Sequence, residues 1–209
     1  MAESYVIGVD FGSDSVRALI VNTETGENVG QGVACYPRWK AGLYQHPEYS
    51  IFRQHPLDYL ESLEKCITTA LAELTEEQKD HVIGIGVDTT GSTPVPVDKN
   101  GTPLALLDEF AENENAMFFL WKDHAAAAEA DEINKLFRNN SENDYTKYQG
   151  DYSAEWYWAK ILYAVRHDEA IRQAAYTWEE HCDWMTGILC GETRPEKIYH
   201  SACAAGHKA

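Results

Sequence analysis

The sequence predicts an α/β protein built on a mixed sheet, and three stretches carry that prediction. The first, Tyr5 to Val21, runs as a β-branched apolar strand, a tight turn of Gly and short hydroxyls, and a second apolar strand, the pattern of an antiparallel hairpin. The second is the series Leu57, Leu60, Leu63, Ile67, Leu71 and Leu74, whose spacing of three and four is that of an amphipathic helix. The third is Val82-Ile83-Gly84-Ile85-Gly86-Val87, a short, wholly apolar run read as a central strand buried on both faces.

Taken in order, the hairpin is followed by a turn at Thr25-Gly26-Glu27 and a strand from Val29 to Tyr36, so the first three strands form an antiparallel meander. Residues 37–55 are aromatic and irregular, with Trp39, Tyr44, His46, Tyr49 and Phe52, and read as a long loop packed by its own rings. Pro56 suits the first turn of the helix over 57–74, with Asp58, Glu61, Glu64 and Lys65 facing outward. After the third strand, Pro94 to Asp98 and Thr102 to Leu106 flank Lys99-Asn100-Gly101 as an edge hairpin whose prolines need no partner. Residues 116–120 read as a strand leaving through Trp121-Lys122-Asp123-His124, and Ala125 to Phe137 as a helix broken by Asn139-Asn140-Ser141. The last third reads as helical, over 153–166, 169–175 and 179–190, the last closed by Gly191.

With 209 residues the chain can bury a sizeable core. A formal net charge of -17, with no cluster among its 17 Lys and Arg, disfavours nucleic acid and anionic membrane as partners, because a polyanion would be repelled. Cys35, Cys66, Cys182, Cys190 and Cys203 have neither the number nor the spacing of a disulfide framework or a zinc site, and read as free thiols. No apolar run approaches a membrane span, and Met1-Ala2-Glu3-Ser4 is polar and acidic; a cytoplasmic location is expected.

Two strand ends carry the candidate chemistry. At the first, Asp10 is followed by Gly12, Ser13, Asp14 and Ser15, a turn that can aim backbone N–H groups at a phosphate while the acid holds a hydrated Mg2+; such a turn also occurs as a turn alone. At the second, Asp88-Thr89-Thr90-Gly91-Ser92-Thr93 repeats the arrangement. Ligands of open α/β sheets sit outside such carboxyl ends, so the pair suggests a two-substrate cleft.

The strand-turn-strand-strand-helix-strand order with an acid at the first turn resembles the actin-like, ribonuclease H-like ATPase fold. Within it, Gly8-x-Asp10-x-Gly12-Ser13-x-Ser15-x-Arg17 resembles the phosphate-facing signature of the FGGY carbohydrate kinases. Further matches follow in order: Phe52-Arg53-Gln54-His55-Pro56-x-Asp58-Tyr59, Gly84 to Asp88, Leu120 to His124, Ser153-Ala154-Glu155-Trp156, Glu180 to Trp184, and Ala205-Gly206-His207-Lys208. These narrow the resemblance to members that phosphorylate a pentulose.

The resemblance implies that residues 1–209 are the N-terminal, sugar-binding domain of such a kinase, truncated, with the nucleotide-binding C-terminal domain and the catalytic-base Asp beyond the chain. It implies MgATP as cofactor and L-ribulose as substrate, phosphorylated to L-ribulose 5-phosphate in L-arabinose catabolism, with the fragment itself inactive. A xylulokinase-like enzyme and a non-catalytic actin-like module are the alternatives, and homodimerisation stays open. Asp10 is the implied metal residue; Asp10, Gly12, Ser13, Ser15 and Arg17 face phosphate, Ser13 standing where the family usually has Thr. Gly91 and Ser92 replace the Arg-Glu pair of glycerol-type members and make room for a longer ketose. Trp121 is expected to pack its indole face on the sugar, with Lys122, Asp123, Tyr152 and Glu155 lining the same site. Lys208 is expected to contact substrate near the phosphorylated hydroxyl, where an ammonium stabilises developing charge. His181, Cys182 and Asp183, consecutive on a helix, point in different directions and are assigned to structure.

Overall fold

A computed structural model describes residues 3–140, 142 and 144–208; Met1, Ala2, Ser141, Ala209 and the His207 side chain, named above, lie outside the described set. The chain begins with strands β1 (Tyr5–Phe11), β2 (Ser15–Asn22) and β3 (Asn28–Cys35), helix α1 (Pro37–Lys40), strands β4 (Gln45–His46) and β5 (Ile51–Gln54), and helices α2 (Pro56–Leu71) and α3 (Glu76–Asp80). It continues with β6 (Val82–Thr89), β7 (Pro94–Val97), β8 (Phe118–Phe119), α4 (Ala127–Asn139), α5 (Thr146–Gln149), α6 (Tyr157–His167), α7 (Glu169–Ala174), β9 (Thr177–Glu180) and α8 (His181–Cys190). These elements divide into two units, Met1–Leu43 with Leu57–Thr90, and Tyr44–Pro56 with Gly91–Ala209.

The first unit is a mixed sheet in the order β3-β2-β1-β6, antiparallel across β3, β2 and β1 and parallel between β1 and β6. Alternation sets its faces: Tyr5, Ile7, Val9 and Phe11 of β1 and Val16, Ala18 and Ile20 of β2 are buried. Helix α2 lies so close to β3 that a Cβ at Gly32 would stand 2.1 Å from the Cys66 carbonyl oxygen, and one at Gly30 would stand 2.6 Å from that of Ala70. Only glycine permits that approach. Tyr59 of α2 meets Tyr36 and Phe11 edge to face, with ring centroids 5.2 and 6.0 Å away.

Two expectations fail in this unit. Asp58 does not face outward: it is buried, accepting hydrogen bonds from the backbone N–H groups of Arg38 and Trp39, each at 3.1 Å, and from the Arg38 guanidinium at 3.0 Å, so it anchors α1. Strand β6 is not buried on both faces. Among the described residues it pairs with β1 alone, and Ile83 is 69% exposed. An apolar edge strand and a central one read alike in sequence, because composition reports hydrophobicity and not neighbours.

The second unit holds a small antiparallel sheet, β4-β5-β8, and the antiparallel pair β7-β9. Helix α6 buries Tyr157, Lys160 and Ala164 on one face, with Ala159 buried as well, and Met117, Phe119, Tyr157 and Trp178 belong to one apolar cluster. The expected hairpin over 94–106 is reduced to its turn and a single antiparallel bridge, Val97 to Pro103: Pro94 to Val97 pair with β9, and residues 104–106 form a 3-10 turn. The expected helical start at Glu179 is also displaced, because Thr177 to Glu180 are the strand that β7 needs. Residues 192–203 lie outside any helix, so the last third mixes helices with a strand and an irregular segment.

Candidate functional site

The residues expected to face phosphate all belong to the first unit. Cross-strand register sets Asp10 of β1 opposite Arg17 of β2 on one side and Asp88 of β6 on the other. The Arg17 guanidinium reaches Asp10 at 3.5 Å, and both side chains are about half exposed, 55% and 54%. Gly12, Ser13 and Asp14 turn the chain, closed by the Gly12 N–H donating to the Ser15 carbonyl at 2.9 Å and by the Tyr36 hydroxyl donating to the Gly12 carbonyl at 3.2 Å. The Ser15 hydroxyl is buried and donates to Asp14 at 2.9 Å. The strand end therefore presents two exposed carboxylates and one guanidinium beside a Gly-containing turn. All-oxygen donors of that kind suit a hard cation such as Mg2+, and the Arg suits phosphate.

The residues expected to line the sugar site all belong to the second unit, where a buried lysine joins two of their segments. Lys160 of α6 is fully buried, and its ammonium donates to the Ser92 carbonyl at 2.6 Å and the Leu120 carbonyl at 2.9 Å. Burial pushes its pKa down from 10.5 to about 7, against the pull of Glu180. Glu180, at the end of β9, holds the same turn from the other side, accepting the Ser92 hydroxyl at 2.7 Å and the Thr93 N–H at 2.9 Å. The Ser92 side chain is thus buried and engaged within the protein.

Trp121 emerges from the segment that Lys160 fixes and is 37% exposed. The Lys122 ammonium lies 4.4 Å from the centroid of the Phe52 ring. Asp123 is fully buried; it forms an ion pair with Arg53 and accepts the Phe52 N–H at 2.7 Å and the Ala125 N–H at 3.2 Å. Burial pushes the Arg53 guanidinium down to about 9. Tyr152 is buried, its hydroxyl accepting the Trp158 N–H at 2.9 Å. Glu155 meets His124 at 2.7 Å, closing the Trp121–His124 segment onto the chain before α6. The Lys208 ammonium lies 4.5 Å from the centroid of the Tyr157 ring, and its carbonyl accepts the Trp158 indole N–H at 2.8 Å.

Gly91, Ser92, Trp121 and Lys208 are thus tied, directly or through a neighbour, to the first turn of α6. Asp123, Tyr152 and Ser92 are engaged inside the protein, whereas Trp121, Lys122, Glu155 and Lys208 keep exposed surface. Lys160 escaped the sequence reading, and Arg53 and Glu180 entered it only within matching motifs, with no role of their own. Lys160 carried a visible signal, since it shares a helix face with buried Tyr157 and Ala164 at spacings of three and four. His181 is fully buried, which pushes its pKa down to about 3 and bears on its assignment to structure.

The mixed sheet, the acid-bearing turn and the aromatic strand exit sit within a match to the N-terminal domain of the FGGY family of carbohydrate kinases, which covers residues 5–202. The chain belongs to that family. It is 53% identical to a ribulokinase from Vibrio parahaemolyticus over 99% of its own length and 37% of that protein, and 35% identical to a ribulokinase from Shouchella clausii over 98% of this chain and 36% of that one. Among solved structures it resembles the xylulose kinase from Bifidobacterium adolescentis, with a TM-score of 0.73 and 18% identity over 98% of this chain and 39% of that one. The chain spans a little over a third of the length of the ribulokinases it matches.

Proposed function

We propose that the chain is the N-terminal, sugar-binding domain, residues 1–209, of an ATP-dependent ribulokinase that converts L-ribulose to L-ribulose 5-phosphate in L-arabinose breakdown. The observation that carries this reading is the 53% identity to the Vibrio parahaemolyticus ribulokinase across 99% of the chain. In it, Trp121 offers its indole face to the C–H groups of the ketose, while Lys122, Glu155 and Lys208 reach its hydroxyls. Gly91 leaves space for the longer substrate, and Ser92, Asp123 and Tyr152, engaged within the protein, set the walls of the site. Asp10, Gly12, Ser13 and Arg17, with Ser15 shaping the turn, would hold the metal-bound phosphates of MgATP, which supplies the transferable phosphoryl group. The Lys208 ammonium stabilises negative charge at the accepting hydroxyl. A cytoplasmic location belongs to the same reading, which leaves homodimerisation open; among the described residues no helix is long and apolar enough to cross a membrane.

Phosphoryl transfer depends on holding acceptor, metal and nucleotide together, so this chain by itself is expected to release no ADP. The test joins it to the remaining C-terminal part of the Vibrio parahaemolyticus protein. The chimera should release ADP when L-ribulose is added, and Trp121→Ala should weaken sugar binding by about 1–3 kcal/mol. A chimera that prefers xylulose would replace the ribulokinase reading with a xylulokinase-like one, and turnover by the 209-residue chain alone would show that the catalytic residues are misplaced.

A further inference from the structure

A second group of ionisable residues in the second unit serves none of the roles above. Glu179 and His200 line a pocket beside β9 whose walls also include Tyr157, Trp158, Trp178 and Lys208, the last the residue proposed above to reach the substrate. Glu179 comes from β9, Asp183 from the first turn of α8, and His200 from the irregular segment that follows. The two carboxylate side chains are each only 2% exposed, whereas His200 opens to solvent. His200 Nδ1 lies 3.2 Å from Asp183 Oδ2 and 3.6 Å from Glu179 Oε2, and one ligand atom from each residue falls within 4.8 Å of the others.

The bonding within the group is incomplete. Asp183 Oδ1 accepts the Ser201 N–H at 2.7 Å, which aims Oδ2 toward His200. Glu179 Oε2 is buried and has no hydrogen-bond partner. Two carboxylates side by side in a low-dielectric setting repel each other, and an orphaned buried oxygen costs free energy; the Lys208 ammonium in the same pocket attracts Glu179 without bonding that oxygen, so a positive centre between the carboxylates still lowers the free energy. The spacing suits a metal. Ligands about 2.1 Å from a common ion stand roughly 3.0 Å apart at octahedral edges and roughly 3.4 Å apart at tetrahedral ones, close to the two distances His200 makes.

We propose that Glu179, Asp183 and His200 form a binding site for a divalent transition-metal ion. Two carboxylates and one imidazole supply three ligands from the protein side, and the open side of the pocket leaves the remaining positions to water. An imidazole among the ligands favours Mn2+, Fe2+ or Zn2+ over Mg2+ and Ca2+, which prefer oxygen throughout. The residues of this site differ from Asp10 and Asp88, which belong to the other unit, but the site shares its pocket with Lys208.

The probe is Mn2+, because Zn2+ would also seek the exposed thiols of Cys35, Cys190 and Cys203. Untagged chain, stripped with chelator, is titrated with MnCl2 while free Mn2+ is followed by electron paramagnetic resonance. One tight equivalent is expected, weakened by about 10-fold or more in Glu179→Gln and in His200→Ala and unchanged in Glu48→Gln, an exposed carboxylate outside the group. His200 is exposed, so its replacement leaves the core intact even where the Glu179 variant misfolds. Absence of saturable binding, or binding that His200→Ala leaves unchanged, would overturn the site.

Discussion

The first unit is held mainly by main-chain ladders and one closely seated helix, with the buried Asp58 tying α1 to that helix, and its candidate phosphate residues gather at one strand end. The second has short strands, and its segments are tied instead by buried side-chain groups: Lys160 on two carbonyls, Glu180 on a turn, Asp123 with Arg53. A ladder tolerates changes of side chain on its open face, because its hydrogen bonds are backbone ones. A buried ionic tie does not, since removing one partner strands the other without solvent. The contrast also bears on what each unit is proposed to do. A phosphate turn needs backbone N–H groups and an accessible acid, whereas a sugar pocket needs several separate segments fixed to within fractions of an ångström.

The strongest way to break that contrast is Asp123→Ala. It strands the fully buried Arg53 and removes acceptors from two backbone N–H groups, so chemical denaturation should show a loss of about 3–5 kcal/mol. A loss under about 1 kcal/mol would mean that Arg53 finds water or another partner, and that the second unit does not depend on its buried charges.

Next in size is Lys160→Met, which removes both donors from the Ser92 and Leu120 carbonyls and should cost about 2–3 kcal/mol near neutral pH. Its pH dependence is more telling. The folded-state pKa, about 7, lies below the ordinary 10.5, so between those values the unfolded chain binds more protons and stability rises with pH. The neutral amine still carries two N–H donors for the two carbonyls. The stability difference between wild type and Lys160→Met should therefore widen from pH 7 toward pH 10, by at most about 1.4 kcal/mol per pH unit. A difference that stays flat or shrinks would show that the ammonium is better solvated than its burial implies.

Gly32→Ala tests the first unit where it is least forgiving. The added methyl would meet the Cys66 carbonyl at 2.1 Å, so α2 must shift, at a cost of about 1–3 kcal/mol. The smallest effect belongs to the open face of the same sheet. Val33 is 58% exposed, and Val33→Thr should change stability by no more than about 0.5 kcal/mol. A larger loss there would mean that the face is covered in solution, which light scattering would register as self-association.

The meander, the long helix and the acid-bearing turn were legible because each is a local pattern: alternation, a spacing of three and four, a Gly among short hydroxyls. The edge position of β6 was not, since Ile83 and Ile85 give an interior strand's composition and the sequence does not number its neighbours. Strand β9 was hidden for a related reason. Thr177-Trp178-Glu179-Glu180 runs straight into a helix, and its extended state is imposed by pairing with Pro94 to Val97, some eighty residues earlier. In the site, the exposed Trp121 was reachable from its residue type and its polar neighbours. The internal engagement of Ser92, Asp123 and Tyr152 was not, because each depends on a partner distant in sequence: Glu180, Arg53 and Trp158's backbone within the α6 start.

The close seating of α2 on β3 turns one cysteine into a clock. Cys66 is fully buried, its thiol directed at the carbonyls of Gly32 and Val16 at 3.1 and 3.5 Å, and burial raises its pKa further. An alkylating reagent cannot reach a thiolate there until the helix lifts from the strand. Cys35, Cys190 and Cys203 are exposed and react at once, so the slow phase of labelling, read by mass spectrometry on Cys66, times the opening of the first unit by itself.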